Sequence, residues 1–288
     1  MAAHHLEKKR EFEAALRVFV EGLSKYAATE DGHWTVKGFI DVYRNVYTIS
    51  SDTKVVSKIL EIHLFPEILK FAEEQGYKIV LADHQNYYPD ISFVAHDDDG
   101  VRFAVDLKTT YREPENCNYC NGFTLGSHGA YFVVRDKKKN IQFPYNTYAG
   151  HFCLGIIYSR ALERGLDGLS ISSLDELGSI TSVVKDFQFF VQEKWRIASD
   201  RQGSKNTANI GSIDHIPDIL AGRGMFADLG EDVFDEYWMN YGKIKVLDPA
   251  TGTSKPITRL SAYLKYKGLD DTAIVQRTRR ARKALLNP

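Results

Sequence analysis

The 288-residue sequence has three cysteines, no long apolar run and a net charge of only −1. Three cysteines are too few for the paired framework that holds small secreted proteins together, so we do not expect disulfides. No run of about 18 apolar residues occurs, which excludes an ordinary membrane-spanning helix. The first residues lack the long apolar core of a secretory signal peptide. These absences predict a cytoplasmic protein without a membrane partner.

What charge there is lies unevenly along the chain. Residues 243–288 carry eleven Lys and Arg but three Asp, although the whole chain is nearly neutral. This excess of positive charge fits contacts with DNA phosphates, and it fits a solvated tail equally well. We predict a main domain over residues 1–242, with an N-terminal helix and a core from about residue 38. The second region is a basic C-terminal extension over residues 243–288.

The most informative stretch is residues 88–108, which reads as a β-hairpin. Apolar and polar residues alternate in both halves, which is typical of strands with one buried face. Asp99 and Gly100 favour a turn between the halves. The register must set apolar side chains opposite each other, which places Phe93 opposite Phe103.

The same register sets Asp90 opposite Asp106, with Lys108 next to Asp106 on the same face. Like charges that face each other across a sheet are destabilising, so two such carboxylates need a cation between them. Mg²⁺ fits best, because it prefers oxygen ligands and leaves positions open to water and phosphate. A solvated strand face would explain Asp106 and Lys108 equally well, since spacing alone does not separate the two interpretations.

Pro89 and Asp90, followed by Asp106, Leu107 and Lys108, match the short PD-(D/E)xK nuclease signature. Further segments sharpen the match, and they occur at residues 51–55, 85–90, 106–111, 123–126 and 206–212. Together these segments resemble the EcoRV-like type II restriction endonucleases over roughly residues 38–242.

The resemblance implies an α/β fold, with a central mixed β-sheet flanked by helices as in PD-(D/E)xK restriction endonucleases. It implies a homodimeric type II site-specific deoxyribonuclease that hydrolyses phosphodiester bonds in double-stranded DNA. The implied target is a short palindrome cut bluntly at its centre, with GATATC as the first candidate. The implied cofactor is Mg²⁺, for which Mn²⁺ can substitute. Residues 1–242 are then the catalytic and DNA-recognition domain.

The resemblance also implies roles for single residues. Asp90 and Asp106 are expected to bind the metal and to act in catalysis with Lys108. Glu61 is expected to be an auxiliary metal or water ligand, although without the resemblance it reads as a helix-surface partner of Lys58. DNA contacts are expected from a set of polar and small residues: Lys54, Gln85, Asn86, Thr109, Gly203, Ser204, Lys205, Asn206 and Thr207.

Residues 203–212 form a small, polar stretch between apolar segments, which alone is typical of a flexible surface loop. Asn side chains can pair with adenine and Thr methyl groups can touch thymine in the major groove. The resemblance therefore assigns base contacts to Gly203, Asn206 and Thr207. Lys205 departs from the family pattern, which has glycine there. A cation at that point alters the loop path, adds a contact or points outward, so the recognition sequence stays open.

Cys117 and Cys120 form a lone CxxC, which is half of a zinc site. Cys153 with His128 or His151 would have to complete it, and a lone CxxC is a weak signal. His151 is predicted to be an interior histidine and not a ligand.

Hydrophobic periodicity predicts the remaining elements. A helix is predicted from Thr53, and Pro66 is expected to end or kink it before Gly76 stops the segment. Other helices are predicted over residues 6–27, 146–163, 231–241, 260–266 and 272–286, and strands over 131–134, 141–143 and 183–198.

Two other functions remain open from the sequence. One is a related PD-(D/E)xK nuclease of repair or recombination that selects DNA structure instead of sequence. The other is a DNA-binding protein that does not cleave, although the complete set of Asp90, Asp106 and Lys108 argues against it.

Overall fold

The computed structural model describes residues 2–84, 86–161, 170–203, 208–247, 252–272 and 274–276. The α-helices in these ranges are α1 (Ala2–Ala27), α2 (Thr53–Glu74), α3 (Ala130–Val133), α4 (Ile216–Leu220), α5 (Glu231–Asn240) and α6 (Leu260–Tyr266). The first strands are β1 (Gly38–Ile40), β2 (Asn45–Thr48), β3 (Tyr77–Leu81), β4 (Ile91–Ala95), β5 (Arg102–Glu113), β6 (Asn116–Cys120) and β7 (Thr124–Ser127). The later strands are β8 (Gly150–Arg160), β9 (Ile171–Ser173), β10 (Val184–Glu193), β11 (Ala198–Gln202), β12 (Asn209–Ser212), β13 (Lys245–Leu247) and β14 (Ser254–Pro256).

A mixed sheet in the order β10–β8–β5–β4–β3 forms the centre of the molecule, and β6 pairs with the end of β5. Strands β5 and β8 are parallel, whereas the other neighbours in this order are antiparallel. Helices α1 and α2 cover one face through a shared apolar core. The predicted α/β fold with a mixed sheet and flanking helices is confirmed.

The register of the β4–β5 hairpin is as predicted. Ile91 lies opposite Val105, and Phe93 lies opposite Phe103. The prediction of a single buried face is wrong, because all five residues of β4 are buried. A central strand that is covered on both sides keeps its alternation but directs each set of side chains into a different layer.

Two apolar cores explain this burial. Phe103 and Leu107 belong to the core under α1 and α2, where Phe12 stacks on Phe103 with the ring centres 4.2 Å apart. Ala104 belongs to a second core, built largely from the C-terminal half of the chain. Because side chains alternate along a strand, Asp106 lies on the same face as Ala104. The second face of the sheet is therefore the one that can carry chemistry.

The helix predicted over residues 146–163 is wrong, since Gly150–Arg160 is the central strand β8. Nine of its eleven residues are buried, so the apolar run has no polar face that would reveal a period of two. Continuous apolar runs do not separate a buried strand from a buried helix. Its β-branched and aromatic residues, such as Ile156, Ile157 and Tyr158, are the signal that favours a strand.

Two short strand predictions are also wrong. Residues 131–134 fall largely in helix α3, where Tyr131 and Phe132 are buried. Residues 141–143 form no strand, and Ile141 makes only an isolated bridge with Tyr88. Aromatic residues favour strands in general, but here their packing with other rings decides the local structure.

Helix α2 runs without interruption from Thr53 to Glu74, with Pro66 inside it, so the helix does not end at the proline. Asp52 caps its first turn, since its Oδ1 accepts from the backbone N–H of Lys54 at 2.9 Å. Gly76 has a φ of +75° and ends the segment as predicted. Burial of neighbouring residues such as Leu64 offsets the hydrogen bond that proline cannot make, which costs about 3 kcal/mol or more.

Helices α1, α5 and α6 are confirmed close to their predicted bounds. The strand predicted over 183–198 ends at Glu193, where a 3-10 turn over Lys194–Ile197 follows. Ile257 and Leu260 are buried in the second core, so chain beyond residue 242 packs against the rest. The division at residue 242 stays a prediction, and the Arg-rich residues 277–288 lie outside the described ranges. Among the described helices, none has the length and apolar character that a membrane crossing requires.

Candidate active site

The β4–β5 hairpin holds Asp90 and Asp106 side by side. The backbone N–H of Asp90 donates to Asp106 Oδ1 at 3.1 Å, and the backbone N–H of Leu107 donates to Asp90 Oδ2 at 2.8 Å. Each carboxylate is thus fixed by the backbone of the opposite arm of the hairpin. The predicted juxtaposition of the two acids is confirmed, and two rigid central strands set their separation.

Lys108 completes the group. Its Nζ lies 2.9 Å from Asp106 Oδ2 and 3.5 Å from Asp90 Oδ2. Burial lowers the pKa of Lys108, but the charges of Asp106 and then Asp90 outweigh burial and raise that pKa above its ordinary value. Lys108 is therefore an ammonium group at neutral pH, and it bridges the two acids.

The electrostatics of Asp90 favour a cation. Burial, and next the negative charge of Asp106, raise the pKa of Asp90 to about 6, against the opposing effect of Lys108. Two carboxylates that are close and partly buried repel each other in their charged forms. Oxygen donors of this kind are the ligands that Mg²⁺ prefers, so the residues present fit a hard divalent cation.

A cleft of about 250 Å³ opens over these three side chains. Asn86 and Tyr88 line one part of it, and Asn209, at the start of β12, lines another. The remaining lining residues are Tyr87, Gly126, Ser127, Ala130, Tyr131 and Asn140. The acids and the strand that follows residues 204–207 therefore share one cleft.

The stacked rings of Tyr88 and Tyr131 form a wall of this cleft, and Tyr145 continues the stack. The Tyr88 and Tyr131 ring centres are 5.3 Å apart, and those of Tyr131 and Tyr145 are 6.1 Å apart. Tyr88 Oη lies 2.9 Å from Nδ1 of His151, a buried histidine whose pKa is well below the ordinary value because of burial. His151 is an interior histidine, as predicted. The sequence interpretation missed Tyr88 and Tyr131, although Tyr88 stands inside the matched motif.

Glu61 lies on α2 and lines a second cavity, of about 360 Å³, which Asp90 also lines. Its Oε2 lies 2.5 Å from Lys58 Nζ, so the helix-surface pair with Lys58 is present. Glu61 is near enough for its charge to contribute to the raised pKa of Asp90. No group of three or more His, Cys, Asp or Glu side chains within the described ranges is arranged to hold a metal ion.

The cysteines do not assemble a zinc site among the described residues. Cys120 pairs with Arg112 on β5, whereas Cys153 pairs with Asp106, six residues earlier on the same strand. Six residues of strand span about 20 Å, so the two thiols are far apart along the sheet. Cys117 is exposed.

The expected DNA contacts divide into two groups. Asn86 is exposed in the cleft, Lys54 is exposed at the start of α2, and Thr109 is half-buried on β5. Gly203 is exposed at the end of β11, where its backbone N–H donates to Asn209 O at 3.0 Å. The others lie outside the described residues, namely Gln85, Ser204, Lys205, Asn206 and Thr207.

The chain on either side of residues 204–207 is firmly held. Strands β11, β12 and β7 form a small sheet, so residues 209–212 are strand and not loop as predicted. A Cβ atom on Gly203 would lie 2.8 Å from Thr124 Cγ2, which explains glycine at that position. His128 N–H donates to Ala208 O at 2.8 Å, and His128 Nε2 lies 3.0 Å from Gln202 Nε2. His128 therefore holds both ends of the segment.

Comparison with known proteins identifies the family. The family model described as restriction endonuclease EcoRV matches residues 30–268. The type II restriction enzyme EcoRV of Escherichia coli is 37% identical over 219 residues, which are 76% of this chain and 86% of that protein. The chain belongs to the EcoRV restriction endonuclease family. It is therefore a type II site-specific deoxyribonuclease that acts on DNA.

The EcoRV family match reaches further than the sequence motifs indicated. It begins at residue 30 and continues to residue 268, and so includes α6, whereas the motifs covered roughly residues 38–242. Burial of Leu260 and Tyr263 in the second core agrees with this extent. EcoRV-type enzymes generally depend on divalent metal ions, and the oxygen donors of Asp90 and Asp106 fit such an ion.

Proposed function

We propose that the protein is a Mg²⁺-dependent homodimer that cuts double-stranded DNA bluntly at the centre of a short palindrome. Mn²⁺ substitutes for Mg²⁺ in this proposal. One observation carries it, namely the carboxylate pair of Asp90 and Asp106 with Lys108 in a single cleft. Family membership supplies the reaction class, and this pair supplies the chemistry that the reaction needs.

Asp90 and Asp106 would hold the metal ion, and Glu61 would act from the neighbouring cavity as an auxiliary metal or water ligand. When bound, the ion supplies an acidified water and neutralises charge that develops on the phosphoryl oxygens. The backbone hydrogen bonds between the arms of the hairpin keep the two carboxylates in position without rearrangement.

Lys108 is already held next to both acids, and its raised pKa keeps it charged. In this state it serves as a hydrogen-bond donor that orients the attacking water or stabilises charge on the scissile phosphate. A charged ammonium is a poor general base, so we assign the donor role to Lys108. In-line attack breaks the P–O3′ bond and leaves 5′-phosphate and 3′-hydroxyl ends.

A symmetric dimer fits the exposed apolar surface around β1, β2 and β9. Phe39 and Ile40 are more than half exposed, Val42 is 89% exposed and Tyr43 is 82% exposed. Ile171 of β9 is also exposed. Exposed apolar residues grouped on one small sheet favour a protein interface, and a two-fold dimer presents two identical sites to a palindrome.

DNA recognition is assigned to residues 203–207, with GATATC as the first candidate site. Asn86, which lines the cleft, is assigned a DNA contact, and Lys54, Gln85 and Thr109 are assigned DNA contacts as well. The shared cleft supports this assignment, because Asn209, two residues after position 207, lines it. Polar side chains next to the reacting phosphate can bind base edges and backbone oxygens.

Digestion of linear and plasmid DNA with Mg²⁺, followed by mapping of the ends, tests the proposal. We expect discrete fragments with blunt ends, and we expect Asp106→Ala to abolish them. Asp97→Ala is the matched control, because Asp97 is an exposed acid at the turn of the same hairpin. Undiminished cleavage by Asp106→Ala contradicts the active-site assignment. Cleavage without a fixed sequence would instead indicate a nuclease that selects DNA structure.

A further inference from the structure

Lys194 is the most unusual charged residue outside the cluster of Asp90, Asp106 and Lys108. It follows β10, is 3% exposed, and its Nζ makes no hydrogen bond to a described residue. A buried ammonium without such partners is costly, because it has lost water and gained no donor–acceptor pair in return. Packing alone therefore does not explain why a lysine is buried at position 194.

Three aromatic rings surround this ammonium. Nζ of Lys194 lies 4.9 Å from the ring centre of Tyr88 and 5.1 Å from those of Phe132 and Tyr145. At such distances a cation is attracted to the ring faces, and the attraction is strongest where water is excluded. Burial lowers the pKa of Lys194 to about 8, so the side chain is mostly charged at neutral pH.

Tyr88 connects this buried cation to the reaction. Its ring lines the cleft, and its backbone leads into Asp90 two residues later. The backbone N–H of Tyr88 also donates to Asn140 O at 3.1 Å, and the backbone N–H of Gln142 donates to Tyr88 O at 2.9 Å. A shift of the Tyr88 ring would therefore move the wall of the cleft and the backbone that leads to Asp90.

We propose that Lys194 is a positioning residue, which holds Tyr88 and thereby fixes the cleft wall next to Asp90. The proposal rests on the proposed function of that cleft. Lys194 acts through the Tyr88 ring and does not touch the reacting atoms. Small displacements at an active site can lower rates by up to about 100-fold, so the effect is measurable.

Lys194→Met removes the charge and keeps a side chain of similar length. We expect the single-turnover rate at saturating enzyme to fall about tenfold or more, while the enzyme concentration that gives half of that rate is unchanged. The melting temperature should stay the same or rise, because an apolar replacement for a buried charge is often stabilising. In the metal-free protein, amide hydrogen exchange at Tyr88 and Gln142 should become faster.

A double-mutant cycle tests the route through Tyr88. Tyr88→Leu alone should slow cleavage, and it should add less than about twofold when Lys194 is already Met. Arg160→Met is the matched control, because the Arg160 guanidinium lies 3.9 Å from the Tyr111 ring in another part of the sheet. We expect normal cleavage from that control.

Three results would overturn the proposal: a normal rate for Lys194→Met, a melting temperature that falls together with the rate, or effects that multiply in the cycle. If Lys194→Met does not fold, Phe132→Leu is used in its place, because it removes one of the three rings around the ammonium. A normal rate in that folded variant also overturns the proposal. Asp106→Ala is assayed in parallel. If Asp106→Ala still cleaves DNA, the active-site assignment is rejected. If Asp106→Ala is inactive and Lys194→Met cleaves at the normal rate, only the role of Lys194 is rejected.

Discussion

We assign catalysis to the β4–β5 hairpin (the catalytic hairpin) and recognition to residues 203–207 (the recognition segment). The hairpin and the strands that flank this segment lie in different sheets. Asp106 lies in the middle of a central strand that has a neighbour on each side, and it is 7% exposed. Gly203 and Gln202 are exposed at one end of a small three-stranded sheet. The first region is held by the core of the fold, whereas the described residues that flank positions 204–207 are held by a small separate sheet.

This difference separates two requirements of a site-specific nuclease. Hydrolysis needs carboxylates that keep one geometry, and backbone hydrogen bonds from central strands provide it. Recognition, which we assign to residues 203–207, needs side chains that can change without loss of the fold. Substitutions in the hairpin should therefore change rate, and substitutions near residues 203–207 should change sequence preference.

The largest expected effect is on the rate. Lys108→Met should lower the cleavage rate about 100-fold or more, because it removes a fixed positive charge next to the phosphate. Single-turnover cleavage measures this effect, with Lys78→Met as control, since Lys78 pairs with Asp99 at the turn end of the hairpin. A normal rate for Lys108→Met would remove Lys108 from the mechanism.

The next effect concerns which bases are read. Lys205→Gly should change base preference about 10- to 100-fold at one or more positions of the site, the range of a single base contact. Cleavage of a randomised DNA library measures it, with Lys137→Gly as a control, because Lys137 is an exposed lysine that does not line the cleft. An unchanged preference at every position would show that residue 205 does not contribute to readout.

A smaller effect on specificity is expected from His128→Ala, which removes the side-chain contact with Gln202 next to the recognition segment. The ratio of cleavage at the preferred site to cleavage at sites with one altered base pair should fall about tenfold. His96→Ala, at the turn end of the catalytic hairpin, is the control. Equal discrimination by the two variants would mean that the ends of the segment are held by its backbone pairs alone.

The smallest effect is on stability in the absence of metal. The pKa of Asp90 is raised to about 6, whereas an unfolded Asp has a pKa of about 3.9. Ionisation of Asp90 therefore favours unfolding as pH rises through about 6. Asp90→Asn should therefore raise the melting temperature at about pH 8, and the gain should disappear towards about pH 4. Thermal unfolding in a metal chelator measures this.

Asp99→Asn provides the opposite case. A hydrogen bond from Lys78 lowers the pKa of Asp99, so this carboxylate stabilises the fold above its unfolded pKa, and that contribution is lost in acid. The variant should be slightly less stable than the parent at neutral pH. A gain for Asp90→Asn that does not vary with pH would contradict the raised pKa of Asp90.

The sequence was sufficient to predict the catalytic hairpin but not its neighbours. Register there depends on local pairs such as Phe93 with Phe103, and a two-residue period makes any slip unfavourable. Strand β8 could not be identified in the same way, since a strand buried on both faces has no polar period. Its parallel partner β5 is distant in sequence, and pairing of that kind leaves no local signal.

The residues of the candidate site also divide into those that the sequence predicts and those that it does not. Asp90, Asp106 and Lys108 were found because motif and strand period agree. Tyr131 and Lys194 were not found, because their contribution depends on rings and charges that only the tertiary structure brings together. Tyr131 was even assigned to a strand on the basis of its β propensity, which packing overrides in α3.

The bridge from Lys108 to both acids has one further consequence. The protein contains its own counter-ion, so two of the three charges are compensated internally before any divalent ion arrives. In the folded protein the acidic pair therefore has a positive partner that does not depend on bound metal. In the proposed function, Asp90 and Asp106 would hold a divalent ion, and Lys108 would then be free to donate to the scissile phosphate.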